Sequence, residues 1–158
     1  MALKPKIDAV DKNILDILQK NGRITNAQLS KEVGLSPAPT LERVKKLEQI
    51  GFIRSYHAVL DAERLGIGVC TFVKVSLKNH NKTSIDRFVA AIEGVEEIIE
   101  CHHTTGSCDF MLKVVAADIS SYQQLMLEKV TNFDDIKDIE SMIILSTFKN
   151  SRSLPIFI

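Results

Sequence analysis

Residues 24–51 read ITNAQLSKEVGLSPAPTLERVKKLEQIG and hold two helix signals separated by a very short turn. Thr25, followed three positions later by Gln28, is a capping-box pattern: the threonine hydroxyl accepts from an early free amide while the glutamine reaches back to the cap's own amide. A helix is expected to start there, with Ala27, Leu29 and Val33 on its apolar side and Gly34 able to take the left-handed conformation that stops it. A second helix should begin almost at once, because Ser36 is a good N-cap and Pro37 suits the first helical position. Pro39 still falls in the first turn, whose amides lack intrahelical partners, so it need not break the helix. Leu41, Val44, Leu47 and Ile50 recur three apart as a buried stripe, with Thr40, Arg43, Lys45 and Lys46 off it and Gly51 closing the helix. A glycine-containing turn between two short helices, the second with a basic outer face, is the arrangement by which a recognition helix enters the DNA major groove. Any pair of packed helices with a solvated charged face is the bland alternative.

Working outward, Asp8 can cap a first helix to about Lys20, with Val10, Ile14, Ile17 and Leu18 on one face and Gly22 ending it. It would complete a three-helix head. After Gly51, FIRSYHAVLD (52–61) alternates with a period of two and reads as a strand, either the wing of a winged helix or a connector, with Arg54 and His57 within reach of phosphates. Residues 61–68 form the boundary, which divides the chain into a DNA-binding domain with its strand connector, 1–60, and a second domain, 61–158.

The second domain changes pattern. VCTFVKVSL is strand-like; TSIDRFVAAIEG is a helix capped by Thr83 or Ser84, with Ile85, Phe88, Val89 and Ile92 apolar. VEEIIECHH is a strand, TTGS a turn, and CDFMLKVVA another strand. A helix follows from about Ser120 to Val130, carrying Tyr122, Leu125 and Met126, and a last strand from about Ile136 to Phe148. Strand, helix, strand, strand, helix, strand points to a ferredoxin-like βαββαβ sandwich, one antiparallel sheet with both helices on one face. The fold class is therefore α+β. The other sheet face needs a cover, and a second copy of the same sheet is the natural one, so a homodimer is expected.

The chain has 158 residues and a formal charge of zero, but the charge is segregated: residues 1–60 carry ten Lys or Arg against six Asp or Glu, and the remainder ten against fourteen. A basic head joined to an acidic body suits DNA binding by the head alone, and so modest an excess calls for several heads acting together. No apolar stretch approaches the roughly 20 residues of a membrane helix, and MALKPKID lacks the apolar core of a signal peptide, so no membrane partner and a cytoplasmic location are expected. Cys70, Cys101 and Cys108 show no CxxC spacing and read as reduced, mostly buried thiols.

The run GLSPAPTLERVKKLEQIGFI (34–53), preceded by DAVDKNILDILQKNGRITNAQLSKEV (8–33), closely resembles the DNA-binding domain of the Lrp/AsnC, or feast/famine, transcriptional regulators, and the likeness extends over nearly the whole chain. The resemblance implies an ACT-like effector domain that pairs into dimers, which often assemble further into octamers. It also implies an amino-acid effector bound where dimers meet, close to the loop joining the second and third strands of that domain. Here that loop is HTTGSCDF. Thr104, Thr105, Gly106, Ser107 and Cys108 offer backbone amides for an α-carboxylate, and Asp109 a countercharge for an α-amino group; the alternative is a hairpin turn with Asp109 there for solubility.

On this reading Ser36, Thr40, Arg43 and Lys46 face the groove of double-stranded DNA, with Arg43 the expected base reader because a guanidinium can bond guanine twice. Thr25, Asn26 and Lys45 position phosphates, and a twofold dimer meets a pseudo-palindromic operator. No catalytic constellation, cofactor or metal site is expected: no nucleophile and base stand at a recognisable spacing, and His102 and His103, adjacent on a strand, point to opposite faces and cannot chelate one ion together. Two rival readings share the architecture. One is a tetrapyrrole (sirohaem) decarboxylase, the other an amino-acid sensor acting through a protein partner.

Overall fold

The computed structural model describes residues 7–157. The chain divides into two compact units, one formed by the segment up to Val59 together with the segment from Lys149 onward, the other by Leu60–Phe148. The tail from Lys149, expected in the second domain, therefore belongs with the head.

The head contains α1 (Ala9–Lys20), α2 (Asn26–Val33) and α3 (Pro37–Gln49) around buried Ile14, Leu15, Leu29 and Leu47. Both anticipated caps are present on the first two helices: Asp8 and Asp11 form a reciprocal capping box on α1, and Thr25 and Gln28 another on α2. Gly34 ends α2 at φ 72°, a left-handed conformation that a side chain would strain. The buried face of α3 is not the expected stripe. Thr40 and Leu47 are fully buried and Val44 half-buried, whereas Leu41 and Ile50 are exposed. Steps of three advance only about 300° around a helix, so 41, 44, 47 and 50 drift across half its circumference; the 40, 44, 47 spacing stays on one side. On α2, Ala27 is exposed and Ser30 is buried, its hydroxyl donating to the Ala27 carbonyl at 3.0 Å.

The expected strand over 52–61 does not form: no ladder partner exists for it among the described residues, and alternation alone cannot make a strand without one. Phe52 and Ile53 instead pack on the head core. The tail packs there too, through Ile156 and through two hydrogen bonds at the Gln19 side-chain amide, which donates to the Leu154 carbonyl at 3.1 Å and accepts from its N–H at 2.6 Å.

The body has β1 (Val69–Leu77), α4 (Lys82–Glu93), β2 (Ile98–His103), β3 (Phe110–Ala116), α5 (Ile119–Leu125) and β4 (Ile136–Ile143). Sheet order is β2-β3-β1-β4, antiparallel throughout, which is the ferredoxin-like order. Val69, Thr71, Val73, Val75 and Leu77 of β1 and Phe110, Leu112, Val114 and Ala116 of β3 are buried beneath the helices with Phe88, Ile92, Tyr122 and Leu125. Phe88 anchors this layer, its ring 4.6 Å from Phe110 and 5.8 Å from Phe133. The cap of α4 is Asn81 rather than Thr83 or Ser84, with its side chain accepting from the Ser84 amide at 2.9 Å. Val89, expected on the apolar face, is exposed. α5 runs on as a π-helical turn, Met126–Val130, closed by the Thr131 N–H on the Met126 carbonyl at 2.8 Å. β4 stops at Ile143, five residues short of Phe148, where pairing with β1 runs out. The sheet's second face carries half-exposed Cys70, Phe72, Met111, Val115 and Met142, bridged by the Lys74–Glu140 and Lys113–Glu100 ion pairs at 3.0 Å each.

Candidate functional site

The start of α3 is unusual chemically. An N-cap side chain normally accepts from the second or third helical amide, but α3 begins Pro37-Ala38-Pro39, so the third position has no N–H to offer. Ser36 accordingly sits at the N-cap without a side-chain capping bond, exposed. Its carbonyl is occupied instead, by the Thr40 amide at 3.3 Å and the Thr40 hydroxyl at 2.9 Å. Thr40 is thus turned into the head, fully buried, and is not on the polar face expected to meet DNA. Asn26 ties the start of α2 to that of α3 by donating its side-chain amide to the Pro37 carbonyl at 2.8 Å. Thr25 is exposed but exchanges hydrogen bonds with Gln28. Lys45 is exposed, and Lys46 is half exposed with its ammonium 3.8 Å from Asp11.

Arg43 stands apart. One guanidinium nitrogen, Nη1, donates to Asp8 Oδ2 and to Asp11 Oδ1, each at 2.7 Å. Asp11 is 1% exposed, whereas Arg43 keeps 30% of its side-chain surface. The hydrogen bonds it donates to Asp8 and Asp11 push the Arg43 guanidinium's pKa up, against the opposing effect of burial. The Asp8 carboxyl is held below its ordinary value by the Asp11 amide first and the Arg43 side chain second. Nothing in the repeat pattern of α1 distinguishes Asp11 as a buried ion-pair partner; its place in a capping box was the available signal.

In the body, the loop between β2 and β3 brings together most of the residues expected at an effector site. Thr105, Gly106 and Ser107 are exposed, Gly106 at φ 114°, and their amides have no acceptor among the described residues. The Thr104 hydroxyl donates to the Cys108 carbonyl at 3.0 Å, closing the loop on itself. Asp109 is already engaged: Oδ2 accepts from the Leu77 N–H at 2.7 Å and Oδ1 pairs with His80 Nδ1 at 2.8 Å. Burial raises its pKa, but the Leu77 amide and His80 together outweigh that and hold the carboxyl below its ordinary value. His80, which the motif reading passed over, is therefore part of this corner. His102 and His103 diverge: His102 pairs with Glu100 at 3.2 Å, and the His103 ring packs 5.1 Å from Phe110.

Comparison with known proteins agrees with this two-part arrangement. Residues 7–54 match the family model for a winged helix-turn-helix DNA-binding domain, and residues 70–154 that of the Lrp/AsnC ligand binding domain. The chain is 40% identical over 150 residues to the leucine-responsive regulatory protein of Salmonella typhimurium, covering 95% of this chain and 92% of that one. It superposes with a TM-score of 0.91 on a transcriptional regulator from Neisseria meningitidis crystallised with L-Met, at 34% identity, covering 95% of this chain and 97% of the other. Against Escherichia coli AsnC the TM-score is 0.85 at 30% identity, covering 92% and 96%. A helix-turn-helix head with an intact second-helix start, an antiparallel effector-type body and these likenesses along almost the entire length identify the chain as a DNA-binding transcriptional regulator of the Lrp/AsnC family.

Proposed function

We propose that the protein reads a pseudo-palindromic operator as a homodimer or an assembly of dimers, and that a small amino acid bound at the loop 104–109, where dimers meet, alters how its heads are presented to DNA. The observation that carries the DNA half is the Ser36 hydroxyl: it is exposed at the N-terminus of α3 and relieved of capping by Pro39, which leaves it to a phosphate or base edge. Arg43 presents its Nε and Nη2 edge to guanine while Nη1 stays with Asp8 and Asp11. Lys45 and Lys46 neutralise phosphates, and Thr25 and Asn26 hold the entry of α2 against the backbone. Thr40 has no part in this reading.

The effector half rests on the free amides of Thr105, Gly106 and Ser107, and on the likeness to a regulator crystallised with L-Met. Asp109 acts there as the pin of the loop, through Leu77 and His80, rather than as a free countercharge. Pairing of two bodies through the face bearing Phe72, Met111, Val115 and Met142 would cover apolar surface that the helices leave bare. The cytoplasm is the compartment such a regulator occupies.

Fluorescence anisotropy on DNA upstream of the protein's own gene, against scrambled DNA, tests both halves when titrated with salt and with single amino acids. Specific binding that weakens with salt and shifts for one or a few amino acids is expected. Specific binding indifferent to every amino acid removes the effector, and equal binding to both DNAs removes the operator.

A further inference from the structure

Two acidic residues at the start of α1 reach beyond capping that helix to the basic side of α3. Asp8 and Asp11 lie on α1, and their carboxylates converge on one nitrogen of Arg43, on α3. Asp11 is 1% exposed and has a second cation, Lys46, 3.8 Å away. Its other duty is local: Oδ2 accepts the Asp8 amide at 3.2 Å while Asp8 Oδ1 accepts the Asp11 amide at 2.8 Å. The α1 cap and the α1–α3 contact are thus one hydrogen-bonded unit.

We propose that Asp8 and Asp11 are positioning residues for operator recognition: acting through Arg43, they fix the azimuth of α3 against α1 and with it the direction of the base-reading side chains. This deepens the DNA-binding function and rests on the operator reading above. Arg43 swings on several rotatable bonds, and ordering such a side chain costs conformational entropy at the moment of binding. Two charge-assisted bonds to Nη1 meet that cost before DNA arrives and leave one guanidinium edge aimed outward. The surrounding surface is one of mixed charge: an open groove of about 320 Å³ beside Arg43 is lined by Asp8, Pro39, Glu42, Arg43 and Lys46, so carboxylates and cations share the approach to the guanidinium.

Simple electrostatics and positioning predict opposite signs. Removing a negative charge near the basic helix should tighten binding to every duplex, whereas loss of positioning should weaken binding to the right one. The experiment takes duplexes that the wild-type protein selects from a random pool, with scrambled controls, and measures both affinities for Asp8→Asn and Asp11→Asn across a salt series. Circular dichroism checks the fold; asparagine is itself a good N-cap, so Asp8→Asn carries the test if Asp11→Asn weakens the head. The expected result is unchanged or tighter binding to scrambled DNA with a fall of about tenfold in the specific-to-scrambled ratio, the scale of one lost charge-assisted bond. Equal tightening on both DNAs, with the ratio kept, overturns the inference alone. A wild-type protein that selects no sequence overturns the operator reading and the inference together.

Discussion

Asp109 offers the sharpest test of how the candidate effector loop is built. Its carboxylate caps the Leu77 N–H at 2.7 Å, on a residue that is completely buried, and also meets His80, whose side chain is 68% exposed. Alanine would strand the Leu77 amide without an acceptor, a loss of about 1 to 3 kcal/mol, while the exposed histidine contact adds no more than about 1. For a domain of this size about 2 kcal/mol corresponds to a fall in Tm of roughly 10 °C. Asparagine keeps an acceptor for Leu77 and should lose less than about 1 kcal/mol. Because the folded carboxyl titrates below its ordinary value, its stabilisation is complete above the unfolded pKa of about 4 and is lost as pH falls through the folded pKa, so wild type and Asp109→Asn should converge in acid. The chain has no tryptophan, so far-ultraviolet circular dichroism on heating, with hydrogen exchange to assign the transition to β1 and β3, is the suitable assay. An Asp109→Ala protein melting within about 2 °C of wild type would refute the pin. Effector titrations extend the test: a pin predicts that Asn responds and Ala does not, and a countercharge predicts that both fail.

Elsewhere, Leu47→Ala should cost about 2 to 5 kcal/mol, since the side chain is fully buried in a small core; loss of helical signal and of DNA binding, with body exchange rates preserved, would be observed. Tyr56 has its pKa pushed up to about 12, by burial first and the Glu48 contact second. Its stabilisation of the head is therefore intact below about pH 10 and disappears as pH rises through the folded value, so Tyr56→Phe should flatten the alkaline limb of head unfolding between those limits. Gly68→Ala would place a Cβ 2.5 Å from the Ala117 carbonyl oxygen, a backbone atom with little freedom to move. A drop of about 1 to 3 kcal/mol in body stability is expected in urea titrations, with the head's transition unmoved.

Local signals carried far where the chain's neighbours decide the structure. The caps at Asp8 and Thr25, the stop at Gly34 and all nine residues of β1 follow from side chains within a few positions of one another. Thr40 apart, what escaped depends on distant partners. The 52–61 alternation resembles a strand, but a ladder needs a second strand and none pairs with it among the described residues. Thr40 looks polar and outward, yet the missing amide of Pro39 and the carbonyl of Ser36 give its hydroxyl a satisfied place indoors. Arg43 and Asp109 show the same difficulty at the candidate sites: each was legible as a charged residue of a candidate helix or loop, but which partner held it, Asp8 and Asp11 or Leu77 and His80, is settled by tertiary placement.

The Gln19–Leu154 pairing gives the far end of the chain an unexpected address. Leu154 and Ile156 lie on the helix-turn-helix unit, with Phe157 90% exposed beside them, although the residues just before Lys149 belong to the body. A purification tag or fluorescent protein fused after this segment would hang from the DNA-binding unit. A label attached there would report on the head, as would one placed ahead of α1, which belongs to the same unit.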